Sequence, residues 1–74
     1  MDYKIGSDVI ETKEVYNSLG HRFMFHYLAD GWIRIWEWNS TKWVEGTEAK
    51  DERSAYEYTA FKEPMYEWPR FNVI

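Results

Sequence analysis

His21 and His26 are the side chains best suited by type to move a proton near neutral pH, since an unperturbed imidazole changes charge there. They lie five residues apart in "HRFMFHYL". Read as a strand, that spacing sends them to opposite faces, so they cannot share a metal ion within it. The chain has no cysteine, and no Asp or Glu stands at ligand spacing from either histidine. A zinc site of the usual ligand set is therefore not expected. Ser7, Ser18, Ser40 and Ser54 are isolated and read as turn or cap residues, without the G-x-S-x-G context of a nucleophile elbow. Four singly scattered glycines do not make a phosphate loop. Carboxylates are plentiful, but 74 residues leave little length for a pocket. The sequence predicts no enzyme, no cofactor and no metal.

Binding chemistry is better represented. Five Trp, six Tyr and four Phe make up 20% of the chain. "GWIRIWEWN" alone holds three tryptophans, with Arg34 between the first two. Exposed rings beside Arg34 and Lys42 could stack bases of a single strand. The formal charge of −4 opposes that use, because phosphate binding rests on Lys and Arg. It suits docking on a basic protein surface. Acids gather at Glu45, Glu48, Asp51, Glu52 and Glu57, with Glu63 and Glu67 beyond. Lys50, Arg53 and Lys62 interrupt them, so much of this band is a solvated helix face. The contact residues expected for a protein partner are Glu48, Asp51 and Glu52, with Tyr66, Trp68 and Phe71 of the tail as aromatic anchors.

The elements that must position these groups form one domain, residues 1–74. A domain this small buries a modest fraction of its surface. Its rings, each removing roughly 150–250 Å² from water when buried, can replace the disulfides it lacks. Asp30-Gly31 between two aromatic and β-branched runs is a hairpin signal. Taken as a two-residue loop, it sets Leu28 opposite Ile33, Tyr27 opposite Arg34 in cation–π contact, and Phe25 opposite Trp36. One face then carries Phe23, Phe25, Tyr27, Trp32, Arg34, Trp36 and Trp38 and reads as core. The other carries Met24, His26, Leu28, Ile33, Ile35 and Glu37. Closing "NSTK" brings Trp43 opposite Trp38, and "KWVEG" is a short further strand. "DVIETKEVY" reads as a strand by its β-branched content, or as a helix capped near Asp8 and stopped at Gly20. After Gly46, "TEAKDERSAYEYTAFKE" predicts a helix capped by Thr47, with Ala49, Arg53, Tyr56 and Ala60 on one stripe and Pro64 ending it. The expected fold is α+β: a small antiparallel meander of three to four strands, one helix packed on one face, and an extended aromatic C-terminal segment.

No basic n-region precedes an apolar run at the start, so no signal peptide is expected. No apolar stretch approaches the roughly 18–20 residues of a membrane helix. The expected location is the cytoplasm, of a host cell if the chain is viral. Very short, Cys-free, acidic, aromatic-dense chains without a motif tend to act by occupying a surface. Many such chains are early products of bacterial viruses that block a host enzyme or defence complex. The leading expectation is thus a non-enzymatic protein-binding inhibitor or modulator. The alternatives are a single-stranded nucleic-acid module using the aromatic face, and a small accessory subunit that homodimerises.

Overall fold

A computed structural model describes residues 8–64. Four strands, β1 (Val9–Tyr16), β2 (Arg22–Leu28), β3 (Ile33–Trp38) and β4 (Trp43–Ala49), form an antiparallel meander in chain order. Helix α1 (Glu52–Ala60) follows. The strand reading of "DVIETKEVY" holds, and four strands form. The aromatic segment after Pro64 lies outside the described residues.

Turn chemistry sets the register. Ser18-Leu19-Gly20 joins β1 to β2, with Gly20 at φ 84°. Asn17 holds this turn: its side-chain oxygen accepts from the Leu19 and His21 amides. Ala29-Asp30-Gly31 joins β2 to β3, with Gly31 at φ 97° and the Leu28 amide bonded to the Trp32 carbonyl. Both are three-residue loops whose last residue needs the left-handed conformation that glycine adopts freely. The expected two-residue Asp30-Gly31 loop is therefore corrected. A type I′ turn needs positive φ at both central residues, and here only Gly31 has it. Phe25 pairs with Ile35, Tyr27 with Ile33 and His26 with Arg34. A one-residue slip exchanges the faces of a whole strand. Ile33, Ile35 and Glu37 thus join Phe23, Phe25 and Tyr27, while Arg34, Trp36 and Trp38 face away from them. Tyr27 does not meet Arg34; its hydroxyl donates to Glu52 (2.6 Å), and Lys13 lies 6.0 Å from its ring. The expected pairing of Trp38 with Trp43 holds, the rings meeting edge-on at 5.2 Å.

The helix begins later than expected. Glu48 and Ala49 belong to β4, where Ala49 packs opposite Ile33. Asp51, not Thr47, is the N-cap and accepts from the Ser54 amide at 2.8 Å. The chain leaves the helix after Ala60, before Pro64. Ala55 and Thr59 are its buried residues, in place of the stripe Ala49, Arg53, Tyr56 and Ala60. It packs on the face of Phe23, Phe25, Ile33 and Ile35, which with Ala49 and Ala55 form the core. Tyr56 meets Phe25 edge-on at 5.2 Å. Asn17 donates to the carbonyls of Thr59 (2.7 Å) and Lys62 (2.9 Å), tying the first turn to the end of the helix. Buried Glu37 lies under the same end. It accepts from the Tyr58 hydroxyl at 2.9 Å and stands 3.6 Å from Lys62 and 3.9 Å from buried His21.

Candidate protein-interaction face

The helix covers one side of the sheet, and no described element packs on the other. Strand alternation places Tyr16 from β1, Arg22, Met24 and His26 from β2, Trp36 and Trp38 from β3, and Trp43 from β4 on that other side. Tyr16 is 65% exposed; the other six are half-buried. Leu28 and Arg34 on this side are buried.

The face divides into two clusters. Near the β3–β4 turn, the Arg22 guanidinium lies 5.1 Å from the Trp38 ring and 5.2 Å from the Trp43 ring. Both distances fall within cation–π range. The Glu14 carboxylate accepts from Arg22 on its other side and raises its pKa. A cavity of about 270 Å³ at the end of the sheet adjoins this cluster, lined by Tyr16, Arg22, Trp38 and Ser40 and also by Gly20, His21 and Pro64. Toward the other end, Arg34 bridges Glu45 and Glu48, the latter at 2.6 Å. Both arginines thus already carry carboxylates, which leaves the face with indole area and no uncompensated cation among these pairs.

His26 joins the clusters. Its Nδ1 accepts from the Trp36 indole N–H at 3.0 Å, and the rings lie 5.7 Å apart. That bond requires an unprotonated Nδ1. Burial lowers the His26 pKa, and the Arg34 charge lowers it further. Burial also lowers that of His21. Both folded-state values lie below the unfolded one of about 6.5, so the unfolded chain takes up protons first as pH falls. The stability that depends on neutral imidazoles is whole above about pH 7 and is lost progressively below about pH 6.5. Urea midpoints are expected to fall between pH 7.5 and 5.5, and His26→Gln is expected to flatten the fall. An unchanged midpoint would contradict this. The two histidines lie on opposite faces, as their spacing required.

Of the residues expected to bind a partner, the three described ones, Glu48, Asp51 and Glu52, do not share one surface. Glu48 points to the tryptophan side and holds Arg34. Glu52 points to the helix side, where Lys13 (3.1 Å) and the Tyr27 hydroxyl bond its carboxylate and lower its pKa. Glu52 and burial together push Tyr27 up to about 12, burial contributing most. Asp51 is occupied as the helix cap. Tyr66, Trp68 and Phe71 lie outside the described residues. Sequence reasoning missed Arg22, and it placed Trp36 and Trp38 in the core. The available signal was glycine at the third loop position, present in both Ser18-Leu19-Gly20 and Ala29-Asp30-Gly31.

Among the described residues, no three His, Asp or Glu side chains converge to hold a metal ion, and no helix is long and apolar enough to cross a membrane. No protein-family model, curated protein or solved structure matches this chain. The sheet and helix define it only as a small α+β protein.

Proposed function

We propose that this chain is a non-enzymatic protein-binding modulator that acts by occupying a partner's surface. The observation that carries this reading is the stack of Arg22 on Trp38 and Trp43, on the sheet side that the helix leaves alone, next to a cavity at the end of the sheet. Trp, Tyr and Arg commonly dominate interface energies, and a pocket beside them gives a partner side chain somewhere to lodge. The partner that fits is a protein whose apolar patch has a basic rim. Glu45 and Glu48 share the single charge of Arg34, which leaves this side of the sheet net negative there, and the chain carries a net charge of −4. Affinity capture with the parent protein and with folded Trp38→Ala and Trp43→Ala variants tests this. The parent is expected to retain a protein that both variants lose and that an Arg53→Ala control, at an exposed helix position away from the tryptophan face, keeps. Retention of the same protein by both tryptophan variants would remove the face from the interface.

The same rings favour a second reading, a platform for single-stranded nucleic acid. Its arginines are already neutralised, so it ranks below. Oligonucleotide quenching of tryptophan fluorescence that weakens steeply with salt would reverse the order.

A further inference from the structure

Among the described residues no strand pairs with the outer edge of β1, and this edge points to a second binding surface, on the helix side of the sheet. The Asn17 amide bonds the His21 carbonyl, so Asn17 turns its backbone toward β2. Antiparallel ladders alternate, so Val15, Lys13 and Glu11 turn inward as well. Thr12, Glu14 and Tyr16 present their amides and carbonyls outward, because β1 is the first strand of the sheet. A bulge between Val9 and Glu11 ends the regular edge, confining it to Glu11–Tyr16. Beside this edge lies an apolar hollow of about 370 Å³ between β1 and α1, lined by Val15, Tyr56, Thr59, Ala60 and Phe61 among others. Tyr56 is 40% exposed there and Phe61 83%.

We infer that this edge and hollow take an extended peptide segment of a partner protein, added antiparallel to β1, with an apolar side chain in the hollow and a Lys or Arg four residues later. The inference extends the protein-binding reading to a second surface. A strand is the one partner that satisfies a row of outward backbone groups. Antiparallel addition continues the pairing of the sheet. The apolar residue stands opposite Val15, on the helix side, in a non-hydrogen-bonded pair where side chains approach most closely. The positions two and four residues later then stand opposite Lys13 and Glu11. Lys13 is already held by Glu52, which raises its pKa. Glu14 holds Arg22 on the other face. Glu11 is exposed on the edge and forms no ion pair among the described residues, which calls for a cation at the fourth position.

The probe is a capped nine-residue peptide with Phe at its third position, Lys at its seventh, and Thr and Ser elsewhere. Nuclear magnetic resonance titration and amide exchange of the whole chain are the readouts. Saturable binding is expected to slow exchange at Thr12, Glu14 and Tyr16. Phe→Ala in the peptide is expected to weaken binding at least tenfold. Glu11→Lys in the protein is expected to weaken it about threefold or more, and Lys→Glu in the peptide to restore it. Trp43→Ala is expected to bind the peptide as the parent does, so failure here is distinct from failure of the tryptophan face. No protection at those three amides, an affinity indifferent to the Glu11 exchange, or concentration-dependent dimerisation that protects the edge without peptide would each overturn the inference.

Discussion

Truncating Ile35 to Ala is expected to destabilise the domain by about 2–5 kcal/mol, and truncating its larger neighbour Trp36 by clearly less. Size alone predicts the reverse. Register decides, because Ile35 faces the helix and is fully buried, whereas Trp36 faces away and is half-buried. Removing Ile35 leaves a cavity among Phe25, Ile33 and Ala55 that the short helix cannot fill. At roughly 0.05–0.15 kcal/mol per residue, a domain of this length has about 4–11 kcal/mol in total. Ile35→Ala then removes a large share, and the melting temperature is expected to drop by more than about 8 °C. Urea unfolding of both variants measures the difference. Equal losses, or a larger loss for Trp36→Ala, would indicate the two-residue hairpin register that Asp30-Gly31 suggests on its own.

That case shows where sequence reading carried and where it stopped. Turn residues and β-branched runs marked three strands and one helix and favoured a fourth strand at "DVIETKEVY", because such signals are local. The Trp38–Trp43 pairing was legible because either count of the "NSTK" loop returns it. The core face of β2 was legible too, but that of β3 was not, because it depends on whether Ala29 belongs to the loop. Side-chain composition could not arbitrate: both registers place Phe23 and Phe25 on one face and supply it with large apolar partners from β3. The helix start was hidden for a different reason. Glu48 and Ala49 read as helix formers, but Arg34 draws Glu48 across to β3, and Ala49 finds its place opposite Ile33. Tertiary pairing overrides weak propensity here. The tryptophan face followed the register, so it was misread as core along with it.

The irregularity in β4 leads to the other large effect. Replacing Gly46 with Ala is expected to cost about 1–3 kcal/mol, although the added group is a single methyl. Gly46 lies where the β3–β4 register shifts between Arg34 and Trp36, so the strands approach unevenly. A Cβ there would stand 2.9 Å from the Ile35 carbonyl oxygen and 3.0 Å from a Glu37 carboxylate oxygen. The carbonyl belongs to a strand in the middle of the sheet and cannot retreat without disturbing its ladder. The carboxylate is held by Tyr58, so its movement would also disturb the contact with the end of the helix. Glu37→Ala in the same chain separates the two clashes, because it removes the carboxylate and leaves the carbonyl. Gly46→Ala is therefore expected to cost somewhat less in the Glu37→Ala background than in the parent, but still more than about 0.5 kcal/mol, the usual limit for a harmless surface change. Urea midpoints of the four proteins close the cycle. If Gly46→Ala proved neutral in the parent, the close approach of β4 to Ile35 would be refuted.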